Sequence, residues 1–380
     1  MNRTRIYFDN AATTPLLPAA REAMEPFWNE TFGNASSPYA TSRAARMALD
    51  GARTSVAKLI GAHADEIVWT GGGTESDNWA LLGVAFANLE KRGHFIVSQI
   101  EHHAVLESAQ TLCELGFEVG FARPNALGVV EVGEIVRLMR PNTLLVSLMS
   151  ANNETGALQN VAAVARICHE NGVLFHCDAT QSAGKMGLDV DFAGENGVDL
   201  LTLSAHKLGG PKGVGALYIR RGTRMKPLLR GGAQERGRRA GTENVPAIAG
   251  FGVATNAACC DLESNTAHLE NLRDRLENGL SEMEVEIIAR NAPRAPHISS
   301  FIVQGARAES LALSLDLAGF AVGTGSACAS GALEPSHVLA AMGYAPHQAK
   351  SALRVSFGTQ NTVEEVDEFL ETLQRLTERG

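Results

Sequence analysis

The sequence predicts an α/β protein: a large domain on a mostly parallel, seven-stranded sheet, followed by a smaller α+β C-terminal domain. Three observations carry that expectation. Short, continuously apolar runs alternate with segments of helical period as far as Arg220. Polar or glycine-rich clusters follow those runs, as expected where a parallel sheet covered on both faces opens at the carboxyl ends of its strands. From about Asp261 the alternation gives way to a long charged helix and a different strand spacing. The length of 380 residues suits two domains at about 150 residues each.

In chain order, Ala44–Ile60 carries an apolar face at Met47, Ala52, Val56, Leu59 and Ile60 and reads as a helix. Ile67–Trp69 is a short strand running into Gly71-Gly72-Gly73, with a helix over Thr74–Leu89 behind it. The same rhythm gives strands at Phe95–Val97, Phe117–Phe121, Leu144–Met149 and Val173–Cys177, with helices at Ala104–Leu115, Val132–Met139 and Val161–Asn171 between them. Leu200–Ser204 and Ala216–Arg220 complete the seven strands. The second domain opens with the charged helix Leu262–Met283. Strands near Val285–Ile288 and Ser299–Val303 and helices at Glu309–Leu317 and Thr362–Leu376 follow.

Composition excludes several classes of function. Apolar residues are 45% and charged residues 20%, so disordered, collagenous and coiled-coil readings fall away. A net charge of −9 argues against a general nucleic-acid binder. No apolar stretch approaches the ~18–20 residues of a membrane span, and the N-terminus lacks the apolar core of a secretory signal. The expectation is a cytoplasmic chain. The six cysteines, Cys113, Cys168, Cys177, Cys259, Cys260 and Cys328, form no C-x-x-C pair, so neither a zinc site nor a disulfide framework is suggested.

The clusters at the strand ends carry the chemistry. Thr70–Asp77 opens a helix behind three glycines, which makes an anion site from free N–H groups and the Thr74 hydroxyl; a Thr-x-x-Asp helix cap is the plainer alternative. Asp178 ends a buried strand, where a carboxylate requires a cation or several donors; it either faces a protonated ring nitrogen or caps the next helix. Lys207, in Ser204-Ala205-His206-Lys207, stands at a strand exit before a glycine run, where a desolvated amine can form a Schiff base. His102 can stack on an aromatic group or move a proton, and Asn152–Gly156 offers amide donors or merely a turn.

Three further features sit outside those strand ends. Cys328 lies in Gly323–Gly331, a stretch of small residues that reads as an exposed, mobile loop. The loop with Arg236, Arg238 and Arg239 suits a phosphate or partner contact, and Arg354 suits a carboxylate clamp or an ordinary salt bridge.

Taken together, these residues resemble the cysteine desulfurases of the class V aminotransferase group, in the branch serving nitrogen fixation and iron–sulfur assembly. The similarity runs from Tyr7-Phe8-Asp9-Asn10-Ala11-Ala12-Thr13-Thr14 through Gly33-Asn34-Ala35-Ser36-Ser37 to Leu333-Glu334-Pro335-Ser336-His337. It implies the fold type I of pyridoxal 5'-phosphate (PLP) enzymes, with residues 13–260 as the large domain. Residues 1–12 and 261–380 would form the small one, carrying a mobile cysteine loop at about 321–334.

Residue by residue, the resemblance implies that Lys207 holds PLP through a Schiff base and moves the Cα proton. Asp178 would pair with the ring nitrogen, Gln181 would bond the ring hydroxyl oxygen, and His102 would stack on the ring. Gly73, Thr74, Ser204 and His206 would hold the phosphate, with Thr242 reaching in from a second copy of a homodimer. Asn34, Asn153 and Arg354 would serve the substrate, Asn153 touching the cofactor as well.

The implied reaction converts L-cysteine to L-alanine and leaves the sulfur on Cys328 as a persulfide for an iron–sulfur scaffold protein. A transient iron–sulfur ligand role for Cys328 is part of the same implication. Gly323-Thr324, Ala329 and Ala205 depart from the commonest pattern of the group, all toward other small residues. The alternatives are a selenocysteine lyase, another PLP enzyme of this fold, or a non-catalytic scaffold. The loop thiol separates the first reading from a transaminase, and Lys207 separates an enzyme from a scaffold.

Overall fold

A computed structural model describes residues 5–191, 197–324 and 335–378. Twelve strands make two sheets among these residues: β1 (Ile6–Phe8), β2 (Ile67–Thr70), β3 (His94–Ser98), β4 (Glu118–Ala122), β5 (Thr143–Ser147), β6 (Leu174–Asp178), β7 (Leu200–Ser204), β8 (Gly215–Ile219), β9 (Val285–Ile287), β10 (Ile298–Val303), β11 (Phe320–Thr324) and β12 (Ala352–Ser356). The larger sheet runs β2-β8-β7-β6-β5-β3-β4. Strand β8 is antiparallel to both neighbours, and every other pairing in this sheet is parallel. Seven mostly parallel strands are what the apolar runs predicted.

Both faces of this sheet are covered, which is why its strands are apolar without alternation. Ile96 joins the core on one face while its neighbours Phe95 and Val97 join the core on the other. The helix Gly73–Ala87 and the helix His103–Glu114 close one side, bringing Trp79, Leu81 and Leu112 onto Val68 and Leu217. On the other side the helix Ala40–Leu59 packs along the helix Val245–Cys260, with Phe251 against Trp69.

The smaller sheet runs β1-β11-β12-β10-β9, antiparallel except for the pairing of β1 with β11. Its core is a cluster of rings, Phe8 against Phe320, Phe357 and Phe369, under the helices Leu262–Leu280 and Val363–Thr377. The first strand of the chain therefore lies in the same sheet as the last.

Several elements differ from the sequence expectation, among them the strand Ile6–Phe8 and the helix Pro18–Met24, which the pattern did not give. The helix Val245–Cys260 had no periodic signal, because it is apolar almost all round and mostly buried. The cysteine loop expected from about 321 begins later: Ala321–Thr324 continue β11, and Gly323 pairs with Arg354 of β12. A Cβ on Gly323 would sit 2.7 Å from Asp9 Oδ1 and 2.9 Å from Arg354 Nη2, so a larger residue there would push on the Asp9–Arg354 pair. Cys328 and the rest of that loop, residues 325–334, lie outside the described residues. Among the described residues no single helix is long and apolar enough to cross a membrane.

Candidate active site

A cavity of about 350 Å³ opens where β6 and β7 end and the helix Gly73–Ala87 begins. Strand β2 delivers the Gly71–Gly73 turn: Gly72 takes φ 149°, a conformation open to glycine, and the helix starts with no side-chain cap. Thr74 is therefore not a cap. Its hydroxyl and the first-turn N–H groups of this long helix remain for an anion. Gly215 admits the turn, since a Cβ there would lie 2.6 Å from Leu203 O and 2.7 Å from the Gly72 carbonyl carbon. Gly71 N–H donates to Glu75 Oε2 at 2.7 Å, and Arg239 pairs with the same carboxylate at 2.9 Å.

Asp178, the last residue of β6, is buried, and its Oδ1 accepts the Thr180 N–H at 2.9 Å. Gln181 follows, its Nε2 donating to Ala11 O at 3.0 Å and its Oε1 lying 3.3 Å from His297 Nε2. Beyond β7, Ser204 leads into a single tight turn, Ala205–Lys207. The Lys207 ammonium donates to Ala11 O at 2.6 Å and Ala12 O at 2.8 Å. His206 Nδ1 is 3.1 Å from Thr13 Oγ1; burial, then Lys207 and Lys212, push its pKa down to about 4.

His102 caps the helix His103–Glu114, its Nδ1 accepting the Ala104 N–H at 3.1 Å. The neutral ring therefore carries its hydrogen on Nε2. Burial lowers its pKa, with Lys207 and His103 in the same sense and Asp178 opposing, so the ring is neutral near pH 7. Asn152 builds the adjoining turn by accepting the Glu154 and Thr155 N–H groups at 3.0 and 2.9 Å, which frees Asn153 to line the cavity. Arg354 lines it too, held by Asn153 O at 2.7 Å and Asp9 Oδ1 at 2.6 Å, while its Nε has no hydrogen-bond partner among the described residues.

Ten predicted residues thus meet on one cavity: Gly73, Thr74, His102, Asn153, Asp178, Gln181, Ser204, His206, Lys207 and Arg354. Asn34 and Thr242 do not line it in this chain and are exposed. Cys328, expected as sulfur acceptor and transient metal ligand, falls outside the described residues. Among the described residues no three His, Cys, Asp or Glu side chains converge on a metal position.

Sequence reasoning missed the polar layer beneath the cavity. Asp77 lines the cavity, buried, with Oδ1 unpartnered among the described residues and 3.7 Å from His176 Nε2. Burial, reinforced by Asp178, raises its pKa well above the carboxylate range. Burial likewise pushes Glu101 up to about 8, and its Oε1 accepts the Met149 N–H at 2.7 Å. His176, between Ser147 Oγ at 2.8 Å and Thr202 Oγ1 at 3.1 Å, is driven down to about 4 by burial. The one local signal was His176 inside the apolar strand Leu174–Asp178; Asp77 stands in the polar run Thr74–Asn78 and Glu101 beside two histidines.

The donor set fits PLP. A buried carboxylate suits a ring nitrogen, and an amine suits Schiff-base attachment. A Cβ on Gly73 would already be in contact with Thr180 Oγ1 at 3.4 Å and Ser204 Cβ at 3.5 Å, so glycine keeps this wall of the cavity open. The Thr180 hydroxyl is buried and has no partner among the described residues, as a group awaiting an acceptor would be.

The Aminotransferase class-V family model matches residues 6–369. "Cysteine desulfurase IscS" of Dictyoglomus turgidum is 43% identical over 380 residues, covering 99% of this chain and 95% of its own. The protein of the same name from Methanosarcina thermophila is 44% identical over 376 residues, covering 98% and 92%. Among solved structures, "NIFS-LIKE PROTEIN" superposes with a TM-score of 0.92 at 37% identity, covering 99% of this chain and 100% of that one. "SspA in complex with cysteine" gives 0.83 at 33% identity, covering 94% and 100%.

Proposed function

The chain belongs to the class-V aminotransferase family, and from that premise we propose that it is a PLP-dependent cysteine desulfurase: it converts L-cysteine to L-alanine and transfers the sulfur to Cys328 as a persulfide. The observation that carries this reading is the convergence of Lys207, Asp178, Gln181 and His102 on one cavity with Gly73, Thr74, Ser204 and His206 from two turns. Bound there, PLP supplies an electron sink for charge developing at the substrate Cα.

The chain's own residues do the rest. With PLP bound, Asp178 would pair with the ring nitrogen, and Gln181 and His102 would hold the ring. Thr74, Ser204 and His206 hold the phosphate. Lys207 would hold PLP covalently and, as a free amine once substrate is bound, would move the Cα proton. Arg354, with Nε uncommitted, and Asn153 orient the substrate carboxylate; Asn34, outside this cavity in a single chain, would have to move to join them. Thiolate is the competent nucleophile, so Cys328 releases its proton on approach, to the substrate amine or His102.

The same reading extends to a cytoplasmic homodimer. Exposed Thr242 would reach the phosphate of a second copy, from a loop that Arg239 ties to Gly71 through Glu75. The persulfide sulfur would pass to an iron–sulfur scaffold protein, in general cluster assembly or nitrogen fixation, with Cys328 briefly able to ligate iron. The test is to incubate the purified protein with L-cysteine, without reductant, and weigh the peptide containing Cys328. One added sulfur atom, with an equivalent of alanine released, is expected. Alanine released beside an unmodified peptide would overturn the assignment of Cys328.

A further inference from the structure

Behind the catalytic cavity lies a second cavity of about 330 Å³. It opens between the end of the helix Val245–Cys260, residues Thr14–Pro18 and the Gly358–Gln360 turn. Leu17, Leu208 and Ala258 give it an apolar wall, and Lys185 lines it. Gly184 turns the chain there at φ +69°, pressed against Ala258 so closely that a Cβ would meet that side chain at 3.0 Å.

Lys185 is only 6% exposed, and among the described residues its ammonium has neither a hydrogen bond nor an ion pair. An ammonium withdrawn from water without a counter-ion is costly, and such groups are ordinarily paired. Burial lowers its pKa to about 8, which leaves it mostly cationic at pH 7. None of the roles assigned above uses it.

We propose that this cavity binds a small aliphatic carboxylate, with the carboxylate on the Lys185 ammonium and the chain against Leu17, Leu208 and Ala258. The titratable groups around Lys185 are Lys207 and His297 on the catalytic side and Asp261 at the exposed mouth. Lys185 and Lys207 repel each other, and Lys185 also acts on His297, which contacts Gln181. A bound carboxylate cancels the Lys185 charge, so cationic groups at the catalytic lysine hold their protons to higher pH. The ligand is thereby an effector of the first cavity.

The probe is sodium butyrate, titrated into the holoenzyme by calorimetry in saturating L-alanine, which occupies the catalytic cavity and whose own ammonium the Lys185 charge would keep out of the second. Saturable uptake of one butyrate per chain is expected, weakened at least about tenfold in Lys185→Met, a loss of roughly 1.4 kcal/mol. Butyrate should also raise the pH midpoint of the cofactor's visible absorbance, and Lys185→Met should raise it without butyrate. In the unaltered protein, butyrate should shield Lys185 from acetic anhydride, read by peptide mass, which keeps the test open should the variant not fold. No saturable uptake, equal uptake by Lys185→Met, displacement by L-alanine, or an unshielded Lys185 would each overturn the proposal. None of these results bears on whether Cys328 gains sulfur.

Discussion

The Lys207 ammonium donates to the carbonyl oxygen of Ala11 at 2.6 Å, joining the turn after β7 to the segment that leaves β1. Ala11 O also accepts the Gln181 amide, and Ala11 N–H donates to Ser356 Oγ at 2.8 Å. One short stretch of backbone thus holds the candidate cofactor lysine and a candidate ring-binding amide to the last strand of the small sheet.

Replacing that amine isolates its role. Lys207→Ala removes the covalent attachment while leaving Asp178, Gln181 and the glycine turn in place. The visible band of the holoenzyme near ~420 nm should disappear, with no alanine formed from L-cysteine. A variant that kept both would dismiss Lys207 as the attachment point.

The approach of Gly215 to the glycine turn makes a second prediction. In Gly215→Ala the new methyl meets backbone on both sides, at 2.6 and 2.7 Å, and neither can move without shifting β7 or Gly72. Overpacking of this kind costs about 1–3 kcal/mol, here expressed at the Gly71–Gly73 turn. Equilibrium dialysis should show PLP held at least about tenfold less tightly. Unchanged retention would mean the turn tolerates the shift.

Burial decides the worth of ion pairs. Arg53 and Glu235 are joined by two 2.8 Å bonds, and Glu235 also accepts the Trp69 N–H at 3.0 Å. Both Glu235 and Arg236 stand at positive φ, 48° and 59°, so this pair pins a strained loop. Arg53→Met strands a buried carboxylate and should cost about 3–5 kcal/mol in denaturant unfolding. Arg5→Met, which removes an exposed pair with Asp316, should cost under about 1 kcal/mol. Equal losses would contradict the argument.

Glu101 sets a pH dependence. Burial keeps it protonated in the folded chain to about pH 8, whereas an unfolded glutamate releases its proton near ~4.3. Between these limits unfolding releases a proton. Its contribution is therefore whole at low pH and drains as pH rises, by up to about 1.4 kcal/mol per pH unit. Glu101→Gln stays neutral throughout, so its stability should fall less between pH 5 and pH 8 than the parent's. A parallel fall in the two proteins would place the titration elsewhere.

The sheet and most of the cavity were legible in the sequence because a parallel sheet writes both into contiguous runs. Apolar β6 ends in Asp178, apolar β7 ends in Ser204, and β2 ends in the glycine turn. What escaped was written across the chain. Asp77 sits within a helix otherwise apolar from Trp79 onward, and its partner His176 is a hundred residues away, so no local pattern joins them. The helix Val245–Cys260 lacks a polar face to reveal its period. The runs 12–14 and 320–324 acquire meaning only against partners at the far end of the chain. Asn34 and Thr242, placed by resemblance alone, stand away from the cavity of a single chain, where no spacing argument could have put them.

The pairing of the first strand with strands near the C-terminus also bears on biosynthesis. While the chain emerges from a ribosome, Ile6–Phe8 must wait through more than three hundred residues before Phe320–Thr324 arrives as its neighbour. Until Ser356 follows, the Ala11 N–H lacks the acceptor that ties this segment to the small sheet. A nascent chain stalled before Ser356 would carry the large sheet without the small-sheet anchor of the segment that receives the Lys207 amine.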